Sequence, residues 1–133
     1  MILIACVEAD LGMSFLGRRL SRDRAVTERI LALCREGRLF VTPYTAALFG
    51  TESCLRVCDA PEKEAGPGDF CFLENRPVPE QGVERLFLFH WNRRYPSDLT
   101  FPKQAFRLRL CRREEFSAFS HKAVTLEEYE VLL

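Results

Sequence analysis

Residues able to do chemistry are concentrated in two stretches of this 133-residue chain. The first is Arg18-Arg19-Leu20-Ser21-Arg22-Asp23-Arg24, one carboxylate among four arginines, directly before a run with Val26, Ile30 and Leu33 at helical spacing. Planar guanidinium groups suit fixed contacts with carboxylates and phosphates, so the cluster reads either as an anion clamp, including one for an RNA phosphate, or as a solvated loop and helix face. Asp23 falls where a helix dipole favours an anion, and Arg19 or Arg22 are its natural ion-pair partners. The second stretch, Trp91-Asn92-Arg93-Arg94-Tyr95, mixes basic and aromatic residues. Such a segment either stacks on nucleic-acid bases or forms a hairpin turn with its aromatics tucked onto a sheet.

The remaining candidates are weaker. His90 and His121 are the only histidines. His90 lies in an apolar run and reads as a core residue. Ser120-His121 suggests a nucleophile and base, but no Gly-x-Ser-x-Gly elbow or neighbouring acid accompanies them. Cys54-x-x-x-Cys58 has the wrong spacing for a zinc knuckle and lacks a second pair, so no metal is expected.

These residues must be positioned by few elements. Ile2–Val7 is a continuous apolar run of strand length, as in a strand buried on both faces. Ala9–Leu20 reads as a loop. Ser21 is a plausible N-cap for the helix that follows, which stops at Gly37. Arg38–Thr42, Cys54–Cys58, Phe70–Leu73, Arg85–Trp91 and Ala105–Arg112 read as strands, with a short helix over Thr45–Phe49. Ala60–Gly68 is a loop by composition, and Asn75–Gly82, with Pro77 and Pro79, is a connector rather than a helix. Leu126–Leu133 suits a final strand, although Thr125-x-x-Glu128 also fits a capping box. Strands with one clear helix near the start predict a single α/β domain over residues 1–133, its mixed sheet flanked by helices and ending in antiparallel strands.

Composition sets the bounds. The chain is 47% hydrophobic and 29% charged, as in ordinary globular proteins, and its 19 basic and 19 acidic residues leave no global field to select nucleic acid or membrane. No apolar run approaches the ~20 residues of a membrane span. Cys6, Cys58, Cys71 and Cys111 sit in apolar strand-like runs, where cysteine behaves as a small hydrophobe. The opening apolar run is too short for a signal-peptide core. The expectation is a cytoplasmic protein with six free thiols, and its oligomeric state is left open.

The order of several short motifs resembles the dihydrofolate reductase family. They are the opening strand leading to Gly12-Met13, Leu20-Ser21-Arg22-Asp23 at a helix start, Thr42-Pro43-Tyr44-Thr45 after the second strand, and the run from Arg85 to Asp98-Leu99-Thr100-Phe101-Pro102. The resemblance implies that Asp23 is the catalytic carboxylate, holding the amidine-like edge of a pteridine by paired hydrogen bonds. It implies an apolar pocket there, lined by Ile4, Cys6, Phe49 and residues near Leu86–Phe89. Arg18, Arg19, Phe49 and Phe89 would meet the substrate or its anionic part, and Thr45 the dinucleotide. The NADPH site departs from the family pattern. Pro43 offers no amide hydrogen, and Glu74-Asn75 stand where the family has a glycine pair, placing a negative charge near the pyrophosphate.

Binding of NADPH is therefore expected to be weak or absent. Three readings stay open: a pteridine- or nucleotide-like ligand pocket at Asp23 with reduced or absent reductase activity, a non-catalytic binding or assembly module, and an RNA-acting protein. Short proteins similar to this one are sometimes named ribonuclease Z. That chemistry needs a dinuclear zinc site rich in histidines, which two separated histidines cannot supply.

Overall fold

The computed structural model describes residues 1–133. Its organising element is β1 (Ile2–Val7), the middle strand of a seven-stranded sheet. To one side lie, in order, β6 (Phe70–Phe72), β4 (Leu39–Val41) and β5 (Leu55–Val57), all parallel. To the other lie β7 (Arg85–His90), parallel to β1, and then the antiparallel pair β10 (Ala123–Leu132) and β9 (Arg107–Ser117). The continuous apolar run of β1 has the expected cause, because side chains from its two faces enter separate cores. Ile4 joins Val26, Ile30, Phe72 and Phe89 on one face, while Leu3, Ala5 and Val7 join Leu86, Leu88 and Phe101 on the other.

The helix α1 (Arg24–Cys34) covers the first face through Val26, Ile30 and Cys34. The second face is covered largely without helix: Met13, Val78, Val83 and Phe101 close it from loops and short strands. This is why the proline-rich connector of residues 75–82 exists. It lays Val78 over the sheet while its backbone stays irregular.

Several elements differ from expectation. The helix is capped by Asp23, not Ser21: Asp23 is extended (φ −153°, ψ 132°) and its carboxylate accepts the Ala25 N–H. The short helix is α2 (Pro43–Ala46), earlier than the expected Thr45–Phe49, since Thr42 caps it and Pro43 sits where a missing N–H does no harm. Pro61 opens α3 (Pro61–Glu64) in the same way, inside a segment that composition marks as loop.

The expected loop of residues 9–20 holds a hairpin, β2 (Gly12–Phe15) with β3 (Arg18–Arg19), extended by β8 (Leu99–Thr100). Its two-residue turn has positive φ at both Leu16 (51°) and Gly17 (75°), the primed geometry that suits hairpins; the leucine hides the usual Asn-Gly signal. β9 runs five residues beyond the expected Arg112, and the chain ends in a strand. Cys111 does not share the buried setting of Cys71; it is exposed on the edge strand β9, whereas Cys34, Cys54 and Cys71 are buried.

Gly12 is required by close approach. A Cβ there would lie 2.2 Å from Ser97 Oγ and 2.5 Å from Ser97 Cβ. Gly12→Ala is expected to destabilise the fold by about 1–3 kcal/mol in urea unfolding, because the backbone must shift to relieve the clash. All six cysteines are free. In guanidinium six thiols should react with Ellman's reagent; in the native protein Cys111 should react first, while burial pushes the Cys34 and Cys71 thiols up to about 12.

Candidate functional site

Asp23 is held at the junction of α1 with the turn between β9 and β10. Its side chain is fully buried (0% exposed). The carboxylate accepts the backbone N–H groups of Ala25 at 2.9 Å, Phe119 at 3.1 Å, Ser120 at 2.7 Å and His121 at 3.1 Å. The Ser120 hydroxyl donates to it at 2.9 Å, and His121 Nδ1 lies 3.2 Å away. Burial pushes this carboxyl upward, but the N–H donors of Phe119 and Ala25, with His121 and Ser120, outweigh it and hold the group well below the usual carboxylate range.

An ionised carboxylate only accepts, so the His121 Nδ1 facing it is a donor, and in the neutral ring Nε2 on the opposite side is the acceptor. Nε2 meets Ser21 Oγ at 2.9 Å and Tyr95 Oη at 3.3 Å. The ring is clamped by Trp91, stacked at 4.6 Å between centroids. No acid neighbours Ser120-His121 in the sequence. The structure supplies one from 98 residues away, and the serine facing Nε2 is Ser21, with Ser120 on the Nδ1 side.

A second buried polar group lies at the ends of β4 and β6. Glu74 takes a bidentate contact from Arg19, Nε at 2.8 Å and Nη2 at 2.9 Å, and the Thr45 hydroxyl at 2.9 Å. The Arg19 guanidinium also lies over the Tyr44 ring at 4.2 Å. Its hydrogen bond to Glu74 raises its pKa further.

Structural comparison adds the framework. A dihydrofolate reductase from Enterococcus faecalis, complexed with NADP(H) and RAB-propyl, superposes with a TM-score of 0.68 over 98% of this chain and 95% of that one. The fold is dihydrofolate-reductase-like. Sequence identity is 9%, which carries the fold and nothing more specific. No family model and no curated protein matches the sequence.

On this dihydrofolate-reductase-like scaffold the expected site residues do not converge on one open cleft. The apolar lining expected beside Asp23 does not form: Asp23 instead borders a groove of about 520 Å³ with Arg22, Arg24, Thr27, Leu48 and Phe119. Ile4, Phe49 and Phe89 are packed into one apolar cluster with Cys6 against it, and the carboxylate is covered by Phe119, Ser120 and His121. Thr45 and Arg19 meet each other only through Glu74. The arginine clamp is likewise divided. Arg24 stacks on Phe119 at 4.2 Å and pairs with Glu28, while Arg18 is exposed and makes no ion pair. In the second stretch Trp91 is buried and Arg94 pairs with Asp10, so the aromatics are tucked inward. No helix is long and apolar enough to cross a membrane.

The depressed Asp23 carboxyl gives a signed expectation. Its folded pKa lies below the ordinary value of 3.8, so its stabilisation is fully present above that pH and is lost as pH falls below it. Asp23→Ala is expected to destabilise by about 3–5 kcal/mol at pH 7, because buried donors lose a charged acceptor. Urea titrations of both proteins at falling pH should show that gap narrowing below pH 3.8.

Proposed function

We propose that this protein binds a small ligand on a dihydrofolate-reductase-like scaffold and has lost NADPH-dependent reductase turnover. The observation that carries the reading is the Asp23 carboxylate, saturated by donors of its own chain and fully buried. A carboxylate in that state has no free lone pair to offer the edge of a pteridine. The residues present also do not fit NADPH. Thr45, the family's dinucleotide threonine, is engaged by Glu74, and Pro43 has no amide hydrogen for a phosphate.

The ligand site proposed instead is the groove of about 370 Å³ beside the β2–β3 hairpin, lined by Phe15, Leu16, Leu20, Tyr95 and Pro96 with Arg18 and Arg19. Arg19 is committed to Glu74, which leaves Arg18 as the cation for a ligand's charge. Phe15 and Leu16 are 42% and 75% exposed, an unusual display of apolar surface next to an unpaired arginine. The matching ligand has an apolar body and one anionic group.

Titration of NADPH fluorescence tests the cofactor half of this reading. Lost phosphate contacts at Pro43 and at Thr45, which Glu74 engages, at about 1–3 kcal/mol each, should weaken binding by roughly two to four decades. No saturation in the micromolar range is expected, and no dihydrofolate-dependent loss of absorbance at the NADPH band. Micromolar binding with folate turnover would make the protein a working reductase and overturn the reading.

A further inference from the structure

We infer that Ser21 is a nucleophile, activated by His121 as general base, and that it cleaves carboxylic esters presented from the hairpin groove. The nucleophile assignment stands on its own geometry, and the ester's approach rests on the hairpin groove proposed above as the ligand site. Ser21 Oγ lies 2.9 Å from His121 Nε2, and His121 Nδ1 lies 3.2 Å from Asp23 Oδ2. This is the serine–histidine–aspartate order in space, identified by distances and roles rather than by chain position.

Each member meets its chemical requirement. Asp23 is buried and ionised, held by backbone N–H donors that do not depend on the histidine. It acts as the positioning residue, fixing the proton on Nδ1 and orienting the ring, which Trp91 holds from one face. The Nε2 lone pair is thereby aimed at the Ser21 hydroxyl. Ser21 itself is only partly buried. Its hydroxyl makes one hydrogen bond, to that nitrogen. The backbone N–H groups of Ser21 and Arg22 donate to no group of the chain and are the donors this proposal assigns to a developing oxyanion.

The groove is bordered by neighbours of this serine. Leu20, the preceding residue, lines it, and so does Tyr95, whose hydroxyl shares His121 Nε2 at 3.3 Å. An apolar acyl chain lying on Phe15 and Leu16 would place its carbonyl near Ser21. In the step proposed, a bond forms between Ser21 Oγ and the acyl carbon as the hydroxyl proton passes to Nε2 and the carbonyl π pair moves to oxygen. That pair returns, the bond to the leaving alkoxide breaks, and Nε2 delivers the proton to it. Water then repeats the sequence on the acyl-serine and frees the acid.

The test uses the full chain, p-nitrophenyl butyrate and a fluorophosphonate probe, with Ser21→Ala as the paired variant. A melting curve establishes that the variant is folded. The expected result is stoichiometric modification mapped to Ser21 by peptide mass, absent in S21A. Ester hydrolysis should fall in S21A by about 10²-fold or more. His121→Gln, also checked by melting, should slow modification of Ser21 to a similar degree. Absence of labelling, labelling at another residue, or equal hydrolysis by S21A and the unmodified chain would overturn the assignment.

Discussion

The structure depends on one contact, the docking of the β9–β10 turn onto the Asp23 carboxylate. Three consecutive backbone N–H groups, of Phe119, Ser120 and His121, converge on a single side chain at the start of α1. Hydrogen bonds to a charged acceptor are worth about 1.5–3 kcal/mol each when desolvated, more than neutral ones. Here they join segments 96 to 98 residues apart in the chain. The same contact caps the helix and fixes the far end of the sheet's outer hairpin. It also sets the orientation of His121. Removing the charge would leave several buried donors unpaired at once, which is why the position is so sensitive.

Glu74 plays the matching part on the other side of the scaffold. Its carboxylate gathers Arg19 from the first hairpin and Thr45 from α2, so loop, helix and strand end are tied by one acceptor. Two carboxylates are thus internal struts. The hairpin groove, proposed above as the ligand site, is lined by Arg19 from the Glu74 cluster and by Tyr95, whose hydroxyl meets His121.

How much of this was legible in the sequence depends on how local each signal is. The run Ile2–Val7 is a local pattern that announces a strand buried on both faces, whereas the last strand is locally ambiguous, since Thr125-x-x-Glu128 also fits a capping box and the family resemblance favours the strand. The helix was found through Val26 and Ile30, but its cap was misplaced by two residues because Ser21 and Asp23 are both good caps. Asp23 is extended at the helix start, and its carboxylate takes the Ala25 N–H. The β2–β3 hairpin was missed because Leu16 occupies a positive-φ turn position that normally carries asparagine or glycine. Asp23 was singled out as important, yet the partner that defines it lies almost a hundred residues on. Nothing in a linear pattern links Ser21 to His121 either; only the sheet's topology brings β10 beside β7 and its turn over α1.

The central claim is that Asp23 holds the β9–β10 turn. Amide hydrogen exchange at Phe119, Ser120 and His121 tests it most directly, since Phe119 and Ser120 are exposed residues outside any strand. The account predicts that all three amides are protected as strongly as those of β10, and that Asp23→Asn releases them together while β1 stays protected. Exchange of these amides at the rate of an open loop in the unaltered protein would contradict it.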